Sequence, residues 1–147
     1  MTVSLTGFEL LADFEELDSI TVDQITRVVE ICFINHSDIS AHLELCFMKE
    51  PQHCDAHQQF LNNSAPTDVM SFPYGDDDCF GELLINVEMA IRRAPEFSHS
   101  AVIELMLYIV HGTLHLLGFD DYQPSDIKKM RQAESEIMAQ ASSENVF

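Results

Sequence analysis

The sequence predicts an α/β or α+β sandwich, in which a sheet of about four strands is covered by helices. A length of 147 residues suits a single domain with a hydrophobic core. Segments that alternate apolar and polar residues, typical of strands, are interleaved along the chain with segments of helical period. One helical segment is apolar nearly all round, and such a helix is expected at the centre of a domain.

The first half of the chain predicts two strands and two helices. A strand with its turn is expected within residues 1–11, and a half-buried strand within residues 42–48. Thr21 and Gln24 have the spacing of a capping box, which predicts the start of a helix. Residues 51–63 predict a short helix that ends in a polar loop.

The second half predicts two further strands, at residues 69–72 and 80–87, followed by the long apolar helix. Pro95, Ser98 and Ser100 are the candidate start signals of this helix. Because the helix is expected to be buried, a functional site at its end would rest on a rigid support.

The end of the chain predicts an amphipathic helix from Pro124 to about Met138. The domain is predicted to span residues 1–141, with residues 142–147 as a loose tail. The side chains of this helix expected to face the core are Ile127, Met130, Ile137 and Met138.

The most informative segment runs from His111 to Asp121 and reads HGTLHLLGFDD. His111 and His115 are four residues apart, so on a helix they share one face. Gly118 can end the helix in the left-handed conformation, after which the chain offers Asp120 or Asp121 as a third ligand. Two histidines and a carboxylate with an open position form a known catalytic zinc arrangement. The alternative is a pair of polar residues on a buried helix, each bonded to a backbone carbonyl.

The same segment matches in length the HExxHxxGxxH pattern of zinc peptidases. Gly112 stands where that pattern has its glutamate base, and Asp121 stands where it has its third histidine. A metallopeptidase is therefore a minor alternative, because its mechanism needs the carboxylate beside the bound water.

A second cluster of metal-ligating residue types consists of His53, Cys54 and His57. No glycine turn with a further ligand follows it, so we interpret it as a solvated helix face. The four cysteines of the chain are scattered, and with no export signal evident they are expected to be reduced thiols.

The acidic composition limits the expected partners. The net charge of −18 argues against broad, non-specific nucleic-acid binding, and no DNA partner is expected. The basic clusters at 92–93 and 128–131 are interpreted as ordinary solvated helix surface. The longest apolar run is too short to span a bilayer, so we expect a cytoplasmic protein with no membrane partner.

Three blocks together carry a resemblance to a known family. They are PTDVMSFP at 66–73, GELLI at 81–85 and the His111–Asp121 segment. In order and spacing they resemble the bacterial endoribonuclease YbeY family, also called the rRNA maturation factor. The resemblance implies an α/β sandwich with a mostly antiparallel or mixed sheet. It also implies zinc-dependent cleavage of single-stranded RNA in 16S rRNA 3′-end maturation and ribosome quality control, with rRNA and the small ribosomal subunit as partners.

The chain departs from the family pattern at two places. The family's usual third zinc ligand is a histidine, at the position of Asp121, and Asp120 matches the family's aspartate. We carry the ligand role over to Asp121 and expect one Zn²⁺ per chain, held with His111 and His115. A carboxylate is harder than imidazole, so zinc is expected to bind less tightly and to be selected less sharply over manganese.

The second departure concerns an arginine that the family carries before Pro66. Counting without gaps puts Leu61 at this position, and no other Arg or Lys lies between Lys49 and Arg92. The loss favours an alternative function, a metal-stabilised ribosome-assembly factor without catalytic activity.

Two carboxylates from the other blocks are the candidate catalytic residues. Asp68 and Glu82 are the acidic candidates for a general base, because Gly112 has no side chain. Asp68 has the alternative role of capping a turn, and Glu82 that of a solvated carboxylate at a strand end.

Overall fold

The computed structural model describes residues 1–76 and 78–147. The strands in this part are β1 (Thr2–Thr6), β2 (His42–Met48), β3 (Val69–Pro73) and β4 (Gly81–Asn86). The α-helices are α1 (Val22–His36), α2 (Glu50–Leu61), α3 (Val87–Arg93), α4 (Ala101–Leu116) and α5 (Pro124–Ser143). Short 3-10 helices occupy Phe8–Asp13 and Ala94–Phe97. None of these helices is long and apolar enough to cross a membrane.

The four strands form one mixed sheet in the order β1-β2-β4-β3. β2 pairs in parallel with both β1 and β4, with Leu45 opposite Leu5 on one side and Leu83 on the other. β3 pairs with β4 in antiparallel orientation and forms one edge. The predicted fold class, a four-stranded mixed sheet with helices, is confirmed.

Helices cover both faces of the sheet at β3 and β4. Ser71 and Leu83 are opposite each other, and both contact Gly112 of α4. Phe72 and Glu82 are their strand neighbours and therefore point to the other face. There the ring of Phe72 contacts Phe60 of α2, with centroids 5.4 Å apart.

The long helix α4 lies at the centre of the core. It packs against α1, α3 and α5 and against strands β3 and β4. Of its three candidate start signals, Ser100 is the cap, since its side chain accepts a hydrogen bond from the backbone N–H of Ile103. The predicted capping box of α1 is also present, with Thr21 and Gln24 bonded reciprocally.

Helix α3 was not predicted. It begins at the residue after β4, and Asn86 both ends the strand and caps the helix by accepting from the N–H of Met89. Because no glycine or proline separates the two elements, composition gives no sign of the change from strand to helix.

The prediction of a loose tail at residues 142–147 is wrong. Val146 is only 8% exposed, and its carbonyl accepts a hydrogen bond of 2.6 Å from Nε2 of Gln24. Glu144 forms an ion pair of 2.8 Å with Arg27. The end of the chain therefore packs on α1, and it holds α5 there.

The interpretation of α2 as having a solvated histidine face is also wrong. His53 and His57 are both buried, and each ring bonds to a backbone carbonyl. α2 covers the sheet with this face, although it carries few apolar residues. All four cysteines are free thiols, and burial raises the pKa of Cys32 strongly.

Candidate metal centre

The end of α4 is a Schellman motif, which turns the chain back toward the helix face. Gly118 has φ of +98°, a conformation that residues with a Cβ disfavour. Its N–H bonds to the carbonyl of His115 at 3.1 Å, and the N–H of Phe119 bonds to that of Leu114 at 3.0 Å. This turn brings the segment that contains Asp121 beside the last turn of α4.

Three side chains converge at this point. Nε2 of His111 lies 3.0 Å from Nε2 of His115. Oδ2 of Asp121 lies 3.5 Å from the first of these nitrogens and 3.4 Å from the second. One donor atom from each residue thus lies within 4.8 Å of the other two, and the group can hold a metal ion.

The other nitrogen of each ring has a hydrogen-bond partner that fixes the tautomer. Nδ1 of His111 donates to Oε1 of Glu134 at 2.7 Å, and Nδ1 of His115 donates to the carbonyl of Phe119 at 2.9 Å. In the neutral rings both Nε2 atoms therefore carry lone pairs, and these face one another and a carboxylate. A cation fits such a donor set, and outer partners of this kind are typical of metal-bound histidines.

Glu134 was not predicted as a site residue. It lies on α5 between the buried residues Met130 and Ile137, at the helical spacings of four and three, and is itself buried. A carboxylate on the apolar face of a helix needs a partner, because burying an unpaired charge is costly. The position of Glu134 on the apolar face of α5 is the feature of the sequence that could have identified it as a site residue.

The charges around His111 oppose the effect of its burial. Burial lowers the pKa of His111. The hydrogen bond to Glu134 and the nearby carboxylates, including Asp68, raise the pKa by more than burial lowers it, so the pKa lies above its ordinary value. In the metal-free protein the raised pKa favours the protonated ring of His111, and the added proton then lies on Nε2, the atom that would otherwise bind a metal ion.

Gly112 faces the sheet and not the candidate centre. A Cβ on this residue would lie 2.9 Å from Cδ2 of Leu83 and 3.0 Å from Cγ2 of Val69. The side-chain hydroxyl of Ser71 also donates to its carbonyl at 2.9 Å. No side chain can serve as a base from this position, as the metallopeptidase alternative would require.

The two candidate catalytic carboxylates lie in different places. Asp68 lines the same cleft as His111, while its Oδ1 accepts from the N–H of Val69 at 2.7 Å in the turn-capping role. Glu82 points to the sheet face opposite α4 and accepts a hydrogen bond of 2.9 Å from the hydroxyl of Tyr74. The structure therefore places Asp68 in the cleft that His111 lines, and directs Glu82 to the opposite face of the sheet.

A cleft of about 430 Å³ adjoins the centre, and of the three converging residues His111 lines it. His111 and Glu134 lie at one end of this cleft, which follows α4 back to the turn before the helix. A volume of this size is typical of small-molecule binding sites.

Comparison with known proteins identifies the family. The model of the family described as "Endoribonuclease YbeY" matches residues 12–142. The chain belongs to the YbeY endoribonuclease family. The expected family resemblance is confirmed.

Individual YbeY relatives match most of the chain. The endoribonuclease YbeY of Carboxydothermus hydrogenoformans is 29% identical over 138 residues, which are 92% of this chain and 96% of the relative. That of Finegoldia magna is 31% identical over 132 residues, covering 86% of each chain. A solution structure of a protein from Thermotoga maritima shares the fold, with a TM-score of 0.66 at 24% identity over 98% of this chain and 91% of that one.

Within the YbeY fold, the position counted for the family arginine lies at the end of α2. Leu61 occupies it and is 54% exposed. Because residues 50–91 contain no Arg or Lys, no nearby cation in the sequence replaces that arginine. Arg93 and Arg131 line the cleft instead, from other elements of the fold.

Proposed function

We propose that the protein is a zinc-dependent endoribonuclease that cuts single-stranded RNA, in 16S rRNA 3′-end maturation and ribosome quality control. The observation that carries the proposal is the convergence of His111, His115 and Asp121 in a chain of the YbeY family. An RNA-acting endonuclease is the activity named for the curated relatives. A cytoplasmic location and the small ribosomal subunit as partner belong to the same proposal.

The three residues would hold one zinc ion, with other divalent ions accepted because Asp121 supplies a hard oxygen. A zinc ion held by these residues would supply a Lewis acid, which lowers the pKa of a bound water to about 7 and stabilises developing charge on a phosphate. Glu134 orients the ring of His111, and the carbonyl of Phe119 orients that of His115. The buried α4 keeps both rings in place.

Asp68 is our candidate for the group that accepts a proton during hydrolysis. It lines the cleft beside His111, and its Oδ1 already accepts from the backbone N–H of Val69. This hydrogen bond fixes the carboxylate direction, which favours a positioned acceptor. Glu82, on the other sheet face, is not part of the proposal.

A specific observation favours a second candidate, the non-catalytic assembly factor. Leu61 supplies no charge at the family's arginine position, and the segment around it contains no cation. In this alternative the metal stabilises the fold and the protein binds RNA or a ribosomal subunit without cutting it.

The test begins with the metal content of the purified protein, measured by elemental mass spectrometry beside His111→Ala. We expect about one zinc per chain in the wild type and none retained in the variant. The protein is then incubated with single-stranded RNA, with its duplex, and with a chelator followed by added zinc.

Cleavage of the single strand that stops with chelator and returns with zinc supports the endoribonuclease. Full metal content without cleavage would favour the assembly factor. In that case Leu61→Arg, which restores the family's cation, should create activity if the arginine is the missing group. Cleavage that persists in chelator, or in His111→Ala, contradicts a zinc-centred mechanism.

A further inference from the structure

The cleft beside the metal centre contains groups that the proposed hydrolysis does not use. Beyond His111 and Glu134 it reaches Tyr108 and Glu104 on α4, and the turn that contains Phe97 and His99. Together these groups form a surface with an aromatic part, a buried polar part and two cations.

The far wall of the cleft is aromatic. Phe97 is 52% exposed, the guanidinium carbon of Arg93 lies 5.5 Å from its ring centroid, and the ring of His99 stacks on it at 5.9 Å and 27°. Ser98 has a left-handed φ of +58°, and this turn brings His99 back beside Phe97. Exposed aromatic rings with an adjacent arginine are typical stacking sites for unpaired nucleobases.

The floor of the cleft is polar and buried. Tyr108 is 4% exposed, and its hydroxyl makes no well-formed hydrogen bond to any residue within 1–76 and 78–147. Glu104 is also buried, and its Oε1 accepts from Nε2 of His99 at 2.7 Å. Most buried polar groups have partners, so the Tyr108 hydroxyl indicates a ligand with a hydrogen-bonding edge. Burial, the charge of Glu104 and a contact between the hydroxyl and that carboxylate raise the pKa of Tyr108, so its hydroxyl keeps the proton that it can donate.

The arginines of the chain divide into two pairs. Arg27 donates a hydrogen bond of 2.9 Å to Glu144, and Arg92 donates one of 2.7 Å to Glu50. Arg93 and Arg131 form longer ion pairs, with Glu96 at 3.7 Å and Glu134 at 3.8 Å, and neither guanidinium group makes a hydrogen bond to the part of the chain that the structure describes. Arg93 and Arg131 are also the two that line the cleft. In a chain of net charge −18 they are cations available to a phosphate.

We propose that this cleft binds one unpaired nucleotide of the RNA, next to the bond that is cut. Its base stacks at Phe97, its polar edge bonds to the Tyr108 hydroxyl and the Glu104 carboxylate, and its phosphates lie near Arg93 and Arg131. The inference rests on the proposed endoribonuclease function and adds to it the place where the substrate is held. A base in a duplex is stacked between its neighbours and has its Watson–Crick edge paired, so it cannot make these contacts, and the site gives a physical basis for preferring single strands.

The test measures binding directly, apart from cleavage. A short, fluorescently labelled single-stranded RNA is titrated with the zinc-loaded protein, its anisotropy gives Kd, and a denaturing gel of each sample confirms that the RNA is intact during the measurement. Phe97→Ala should weaken binding about tenfold or more, because a stacking surface is lost, whereas Phe97→Tyr should stay near the wild type. Phe60→Ala is the matched control, since Phe60 is 56% exposed and lies outside the cleft. It should leave Kd unchanged.

Two further variants separate the polar contacts. Tyr108→Phe removes only the hydroxyl and should weaken binding about fivefold without lowering Tm. Arg131→Gln should reduce the slope of log Kd against log salt by about one phosphate contact. Both changes conserve most of the side-chain volume, so they remain informative if Phe97→Ala perturbs the fold.

The outcomes distinguish this inference from the function on which it rests. If the wild type binds and cuts single-stranded RNA but Phe97→Ala and Tyr108→Phe bind as tightly, the nucleotide site is wrong and the endoribonuclease stands. If the zinc-loaded wild type neither binds nor cuts RNA, both are wrong. Equal weakening by Phe60→Ala also contradicts the site, because the loss is then not specific to the cleft.

Discussion

Two helices of this protein carry a histidine pair at the same spacing, and within the described residues only one of the two pairs converges with a third potential ligand. His53 and His57 lie on α2, and His111 and His115 lie on α4, four residues apart in each case. Both pairs share one helix face, as the spacing requires. Both helices also end in a left-handed residue, Asn62 after α2 and Gly118 soon after α4.

The pairs differ in how their ring nitrogens are used. In α2, Nε2 of His53 bonds to the carbonyl of Leu84 at 2.9 Å, and Nδ1 of His57 bonds to that of Ala65 at 2.7 Å. These bonds point the two rings at different parts of the backbone. In α4 both partners take Nδ1, and both Nε2 atoms remain directed at one point.

The segment after each helix also differs. The chain after Asn62 offers the carbonyl of Ala65, whereas the chain after Gly118 offers the carboxylate of Asp121. The comparison shows that the spacing of two histidines determines only that they share a face. The partners of the second ring nitrogens and the turn that follows determine whether the pair converges with a third ligand.

Removing one histidine from each pair gives the largest expected contrast. Purified His111→Ala should contain no metal, because a ligand is deleted, whereas purified His57→Ala should contain about one metal ion per chain. Elemental mass spectrometry of the two purified variants, with circular dichroism to confirm folding, makes the measurement. Retention by the first variant, or loss from a folded second one, would reverse the assignment of the two pairs.

Substituting the carboxylates after α4 sharpens the contrast at the turn. Asp121→Ala should lower zinc affinity by more than the roughly 10- to 100-fold typical of losing an outer partner, whereas Asp120→Ala should change it little. The reason is that Asp121 lies 3.4–3.5 Å from both Nε2 atoms. Competition with a chromogenic chelator measures the affinities. Equal effects of the two substitutions would contradict Asp121 as the third ligand.

A smaller effect is expected from the partner of His111. Glu134→Gln keeps an acceptor for Nδ1 but removes its charge, and should lower zinc affinity roughly tenfold. Glu136→Gln, on the same helix and exposed, is the matched control and should have no effect. The same chelator competition applies, and no difference between the variants would remove Glu134 from the centre.

The smallest effects are the opposite pKa shifts of His53 and His111, one histidine from each pair. Burial lowers the pKa of His53 below its ordinary value of 6.5, and the neighbouring carboxylates raise that of His111 above it despite burial. NMR titration of the histidine ring protons in the metal-free protein should show His111 titrating at higher pH than His53. The reverse order would contradict the electrostatic difference between the helices.

These shifts also give the sign of each contribution to stability in the metal-free protein. The contribution of His53 is present above pH 6.5 and is lost as the pH falls, because the unfolded chain binds the proton first. That of His111 is present below pH 6.5 and is lost as the pH rises through its higher folded pKa. Denaturation of His53→Gln at several pH values should therefore show less loss of stability in mild acid than the wild type.

Local patterns predicted the parts of the fold that depend on local interactions. The capping box of Thr21 and Gln24 is present because both partners lie within one turn of helix. The glycine turn at Gly118 was predicted for the same reason, since left-handed backbone is a property of a single residue. The three converging residues, His111, His115 and Asp121, also lie within one short segment.

Contacts between distant segments explain what the sequence did not predict. Glu134 reaches His111 across 23 residues of sequence, and Gln24 reaches Val146 across 122. His53 looked solvated because α2 is polar, yet its ring is buried against the backbone of β4. Glu82 is a candidate base on the sequence because it lies in one of the three motif blocks, although the strand alternation directs it to the opposite face.

The contact of Gly112 with the sheet sets how accurately the metal centre is aligned. Because a Cβ would come within 2.9 Å of Leu83, α4 lies closer to the strands than a helix with a side chain there could. This close approach, together with the Ser71 hydrogen bond, resists rotation of the helix about its own axis. A ring tip at a radius of roughly 5–6 Å moves about 1 Å when the helix turns by about 10°. The contacts of Gly112 with the sheet therefore fix the direction in which both imidazoles point, although Gly112 lies on the side of the helix that faces away from the metal centre.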